Sequence, residues 1–124
     1  MFGISKDFTF AAAHHLPQLP DNHKCRRVHG HNYTVRIEAT KASLDDDDFV
    51  FDYACFDPFA GYLKAILDHR DLNEVIPFMP TAERLAHHLW RAALSHVPEL
   101  AECSRVRVGV SETPSTWAWY SPDE

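Results

Sequence analysis

The sequence predicts an α+β domain: a four-stranded antiparallel sheet with two helices inserted between the second and third strands. Three observations predict it. Apolar and polar residues alternate along two segments near the start of the chain and one near its end. Two apolar stripes of helical period lie between those segments. No repeat or linker interrupts the 124 residues, so 1–124 reads as a single domain with one core.

The first strand runs from Ile4 to Ala13, where Phe8, Phe10 and Ala12 share one face and His14 continues it. Leu16 to Lys24, with Pro17, Pro20, Asp21 and Asn22, reads as a loop. The clearest strand is His31 to Lys41, in which Tyr33, Val35, Ile37 and Ala39 alternate with Asn32, Thr34, Arg36 and Glu38. The acids Asp45 to Asp48 form a solvated turn. Phe56, Phe59, Ala60, Leu63, Ile66 and Leu67 make the first helical stripe, with Pro58 at its start or at a bend. Thr81 caps the second helix, and Glu83 lies in its first turn. Leu85, Ala86, Leu89, Trp90, Ala93, Leu94 and Val97 form that helix's stripe. Arg105 to Ser111 is the third strand, with Val106, Val108 and Val110 inward, and Trp117 to Ser121 supplies a fourth. Four short strands leave unpaired edges for an oligomer to cover.

Composition narrows the function classes. The formal net charge is −6, which argues against a nucleic-acid partner. No apolar run approaches the roughly 20 residues of a membrane span, and the start of the chain lacks the layout of a secretory signal, so the expected location is cytoplasmic. Three cysteines without framework spacing predict no disulfide and leave thiol chemistry open. Cys55 and Cys103 have no charged neighbours that would activate them, and are read as ordinary small side chains.

The chemistry concentrates in Cys25-Arg26-Arg27-Val28-His29-Gly30-His31. His29 and His31 have the parity of Tyr33, Val35 and Ile37, so both point to the core face, with Cα atoms ~7 Å apart. His14 ends the matching face of the first strand. Three imidazoles on neighbouring strands fit a tetrahedral metal with one open position, and a histidine-rich set suits zinc. The competing role is that of hydrogen-bonded histidines at strand ends. Cys25 lies between Lys24 and two arginines, where positive charge favours a thiolate; it is a base or a plain small side chain. Lys24, Arg26 and Arg27 form either a solvated loop or a landing site for an anionic substrate. Glu112 extends the inward face of Val106, Val108 and Val110. It pairs with an arginine or accepts the N–H donors of a bound heterocycle. Asp68-His69 is a polar helix terminus or an acid–base couple in which the carboxylate orients the imidazole. His87, His88 and His96 need no special role.

Five ordered motifs, together spanning nearly the whole chain, resemble the 6-pyruvoyltetrahydropterin synthase and 6-carboxytetrahydropterin synthase family. They are Phe10-Ala11-Ala12-Ala13-His14, Cys25-x-x-x-His29-Gly30-His31, Leu67-Asp68-His69 with Leu72-Asn73, Pro80-Thr81-Ala82-Glu83 and Ser111-Glu112-Thr113. The resemblance implies the tunnelling fold, assembled as trimers or hexamers with active sites between subunits. It implies zinc on His14, His29 and His31, with 7,8-dihydroneopterin triphosphate as substrate. Cys25 would be the proton acceptor, His69 a relay oriented by Asp68, and Glu112 the pterin anchor and a further member of the relay. Lys24, Arg26 and Arg27 would be candidates for the triphosphate. Three residues between Cys25 and His29 resemble the carboxy-forming enzymes of the queuosine pathway, whose products are 6-carboxy-5,6,7,8-tetrahydropterin, acetaldehyde and triphosphate. The rivals are a pyruvoyl-forming synthase, a non-catalytic metal-binding protein and a cupin-type oxygenase. The cupin would want an acid facing the same way as His31, and Glu38 has the wrong parity.

Overall fold

In the computed structural model, which describes residues 1–122, the two long strands dominate. β1 (Phe2–His14) and β2 (His29–Lys41) pair antiparallel over their full lengths, from Phe2 opposite Lys41 to His14 opposite His29. Both begin or end farther out than the alternation predicts, because the flanking residues continue the ladder without continuing the apolar pattern. β4 (Arg105–Ser111) pairs antiparallel with β2, and β5 (Ala118–Tyr120) with β4.

The sheet departs from expectation in one respect. It has five strands, not four, and it is mixed. The extra strand, β3 (Arg70–Asp71), lies parallel to β1 at the sheet edge, giving the order β3-β1-β2-β4-β5. Side chains extend this two-residue pairing. Asp68 Oδ1 accepts the Ala11 N–H at 2.9 Å, while the His69 N–H donates to the Ala11 carbonyl at 2.6 Å. Beyond β3, the Asn73 amide takes both His15 backbone groups: Oδ1 accepts its N–H at 2.9 Å and Nδ2 donates to its carbonyl at 3.0 Å. A polar segment with no strand periodicity thereby zips along Ala11–His15.

The helical region is also more broken than two stripes suggest. α1 (Asp57–Tyr62) starts with Pro58 in its first turn, as expected, and then widens into a π turn, Leu63–Leu67. The wider turn shifts the stripe's phase. Leu63 and Leu67 stay buried while Ile66, placed inward by a regular 3.6-residue period, is turned out. A single turn, α2 (Leu72–Val75), follows β3. α3 (Ala82–His96) has Thr81 as its cap, with Oγ1 accepting the Arg84 N–H. α3 buries Leu85, Ala86, Leu89, Ala92 and Ala93. Its Trp90 indole donates to the Val106 carbonyl at 3.0 Å, tying the helix to β4.

The helices cover one sheet face, where Phe8, Tyr33, Val35, Ile37, Val108 and Val110 meet Phe56, Phe59, Leu85 and Leu89. On the other face, Arg36 lies between Asp7 and the Trp117 ring, and Arg107 between Glu38 and the Trp119 ring. No helix among the described residues is long and apolar enough to cross a membrane.

Asn73→Ala removes a two-bond clamp and leaves the His15 backbone groups unpaired, so it should lower unfolding free energy by about 1–3 kcal/mol. Denaturant titration measures the loss. Amide exchange should localise it to 11–15; unaltered protection there would contradict the clamp.

Candidate metal centre

The β1–β2 register builds the site. His14 stands directly opposite His29, and His31 is two residues farther along β2, on the same face. The three ring centroids form a near-equilateral triangle with sides of 4.6, 4.9 and 5.0 Å. One ligand-capable atom from each ring lies within 4.8 Å of the others.

Backbone carbonyls assign the ring tautomers of two of them. His14 Nδ1 donates to the Pro80 carbonyl at 2.8 Å, and His29 Nδ1 to the Arg27 carbonyl at 2.6 Å. Each leaves Nε2 as the acceptor, the form a metal requires. The Nε2 atoms of His14, His29 and His31 are all buried and lack a hydrogen-bond partner among the described residues. The converging lone pairs of His14 and His29 are costly unless something occupies the point they share with His31 Nε2, which faces the Glu112 carboxylate. The donor set therefore fits a divalent cation of borderline softness. Burial, chiefly, depresses the pKa of His14 and His31, which favours the neutral, ligating imidazole, although Glu112 pulls the other way.

Glu112 follows β4 immediately and reaches into this centre rather than to an arginine. Its Oε2 is 3.1 Å from His31 Nε2 and 3.9 Å from His14 Nε2. Tyr33 forms the floor. It is fully buried, stacks on Phe10 with centroids 4.8 Å apart, and lies edge-on to His31. Burial, reinforced by Glu112, raises the pKa of its phenol and keeps it protonated.

Cys25 lies in the short 3-10 turn Lys24–Arg26 just before β2. Its carbonyl accepts the Leu16 N–H at 2.8 Å, closing the loop between the strands and holding the cysteine beside the end of β1. The thiol is not among the converging ligand atoms.

The basic cluster divides. Arg26 is committed to the loop: its guanidinium donates to the Pro17 and Leu19 carbonyls at 2.6 and 2.8 Å and pairs with Asp21. That corrects its candidacy as an anion ligand. Lys24 and Arg27 are exposed, with no side-chain partner among the described residues.

The Asp68–His69 couple exists in the folded chain, with Asp68 Oδ2 at 3.0 Å from His69 Nδ1. Asp68 is held below its ordinary carboxyl pKa, first by the Ala11 N–H and then by His69. His69 has a left-handed backbone, φ 59°, which is uncommon outside glycine, and its N–H is bonded to the Ala11 carbonyl. Its side chain is 81 % exposed. His69 and His31 both border a depression of about 520 Å³ over Ala11, Ala13 and Gly30. Sequence reasoning missed Pro80, Arg27 and Asn73 as supports. Two of them act through backbone carbonyls, which leave no trace in residue type.

Fold and site together define a tunnelling-fold protein with a three-histidine centre. A family model described as 6-pyruvoyl tetrahydropterin synthase matches residues 3–123. A Bacillus subtilis protein named 6-carboxy-5,6,7,8-tetrahydropterin synthase is 32% identical over 128 residues, covering 98% of this chain and 86% of the relative. A Synechocystis protein of the same name is 36% identical over 95 residues, covering 69% of this chain and 70% of its own. The solved structure of Caenorhabditis elegans 6-pyruvoyl tetrahydropterin synthase superposes with a TM-score of 0.84 at 23% identity, over 98% of this chain and 96% of that one. The chain belongs to the 6-pyruvoyl tetrahydropterin synthase family, a family of enzymes.

Titration with zinc should give one ion per chain and raise the melting temperature, since a ligand at a thousandfold excess over Kd adds about 4 kcal/mol. His29→Ala should abolish both effects. A variant that still binds one zinc with unchanged affinity would remove His29 from the centre.

Proposed function

We propose that this protein is a zinc-dependent lyase that converts 7,8-dihydroneopterin triphosphate and water to 6-carboxy-5,6,7,8-tetrahydropterin, acetaldehyde and triphosphate. The observation that carries the proposal is the set of three unpartnered Nε2 atoms aimed at one point, with Glu112 beside them and Cys25 at the adjoining turn. The relatives named 6-carboxy-5,6,7,8-tetrahydropterin synthase support the carboxy product, as does the Cys25–His29 spacing.

His14, His29 and His31 would hold the metal. When bound there, zinc supplies Lewis acidity that makes protons on hydroxyl-bearing carbons easier to remove. Cys25 is outside the ligand set and takes such a proton as thiolate. Asp68 orients the His69 imidazole through Nδ1, leaving Nε2 to carry a proton to or from the substrate. Glu112 accepts the paired N–H donors of the pterin ring and shares in the relay, which sets the side chain beside the imidazoles. Lys24 and Arg27 meet the triphosphate.

His69 sits on the free edge of the sheet with its ring in solvent, a placement that suits service to a neighbouring subunit's centre. The working unit is then a trimer or hexamer with shared sites, and the product feeds queuosine or a related deazapurine. The expected compartment is the cytoplasm.

Incubation with dihydroneopterin triphosphate, read by mass, should give the carboxy product and acetaldehyde. A 6-pyruvoyl product without acetaldehyde would sink the assignment in favour of the pyruvoyl-forming rival. Cys25→Ala should lower turnover about 10²- to 10⁴-fold, the usual worth of a general base, with metal content unchanged. Undiminished turnover in that variant would remove Cys25 as the base, and metal binding without turnover in the unaltered protein would favour a non-catalytic metal-binding protein.

Mixing inactive Cys25→Ala and His69→Ala subunits tests the shared site. Activity should reappear after subunit exchange. A mixture that stays inactive although mass analysis shows mixed oligomers would place both residues in one chain's site.

A further inference from the structure

The most capacious of the described cavities, about 620 Å³, lies away from the histidine centre and shares no lining residue with it. It is a groove along the outer side of α3, closed by Tyr62 of α1 and by Phe78. Arg84, His88, Arg91 and Ser95 follow one another at i, i+4, i+7 and i+11, so they form a single stripe facing the groove. His87 and His96 flank it. No carboxylate lines it, in a chain with 18 acidic and 12 basic residues. A solvated helix face normally mixes both signs. Here two guanidiniums, neither with an ion pair among the described residues, share a wall with three imidazoles.

The groove is also built rather than merely charged. The Tyr62 hydroxyl and His88 Nε2 are 2.7 Å apart, the Tyr62 and His96 rings are 5.0 Å apart, and the Phe78 and His88 rings are 5.3 Å apart. Burial, with Arg91 and His87 nearby, holds His88 towards its neutral form. An anion beside Arg91 would offset the positive charge that faces His88. The volume falls within the range of small-molecule sites and far exceeds that of an inorganic anion. Aromatic edges on one wall and guanidiniums on the other suit a planar ring that carries a phosphate.

We propose that the α3 groove binds a phosphate monoester of the nucleotide class, with Arg84 and Arg91 bracketing the phosphate and Tyr62 and Phe78 against the ring. This does not rest on the pterin reading.

The test is to titrate adenosine 5′-monophosphate, and separately inorganic phosphate, into the zinc-loaded protein while following the His88 and His96 imidazoles by NMR. Saturable shifts are expected, with the nucleotide binding at least tenfold more tightly than phosphate. Arg84→Gln/Arg91→Gln should weaken nucleotide binding at least tenfold, with melting temperature and pterin turnover unchanged. Absence of saturable shifts at these two rings, or equal affinity in the double variant, overturns the site. Equal affinity for nucleotide and phosphate overturns the ring-binding half of the assignment.

Discussion

The pairing of His14 with His29 is the constraint on which the rest of the structure depends. Side chains alternate along a strand, so a one-residue slip between β1 and β2 would do more than displace one ligand. It would turn Phe8, Phe10 and Ala12 against the polar side of Tyr33, Val35 and Ile37. The thirteen-residue ladder that buries the core is therefore the same ladder that sets the imidazoles. Core packing and site geometry cannot be varied separately here, and the three-histidine site inherits the precision of the core ladder.

Register places the rings, but the surrounding backbone orients them. The Pro80 carbonyl comes from the residue before the α3 cap, and the Arg27 carbonyl from the turn that also carries Cys25. α3 is anchored in turn by Trp90 on β4, the strand that delivers Glu112. One face of the centre is thus fixed through the helix layer and the other through the β1–β2 connection. Arg26 belongs to the second support. By binding the Pro17 and Leu19 carbonyls it shapes the loop that returns Cys25 to the end of β1.

Much of this was legible from period-two parity. Tyr33, Val35 and Ile37 share a face with His29 and His31, and buried Phe8, Phe10 and Ala12 share one with His14. The Thr81 cap was equally readable, because a hydroxyl at that position has one favoured use. Two features carried no pattern. Ile66 would be inward in any regular helix, and only the π turn expels it. β3 is two residues long, and its pairing with β1 is completed by Asp68 and Asn73, polar residues that read as a helix end. A side-chain amide imitating a peptide group is chemically apt but silent in hydropathy. The fifth strand was therefore invisible, although Asp68, which helps to build it, stands out in the sequence for its chemistry.

Asp68 now carries two duties that a sequence motif cannot separate. Its Oδ1 holds the Ala11 N–H, and its Oδ2 holds the His69 ring. The first bond joins the segment to the sheet and the second aims the imidazole, while the left-handed His69 donates its N–H to the Ala11 carbonyl. Because the folded state lowers the Asp68 pKa, the ionised form contributes stability above the ordinary carboxyl range near pH 4. That contribution is lost only as pH falls through the depressed value. Across neutral pH the couple is therefore a charged, preoriented unit. A strained, exposed histidine held by its own carboxylate at an open sheet edge is poorly explained by stability alone. The arrangement makes sense if the imidazole is kept available for a group outside its own β-sheet.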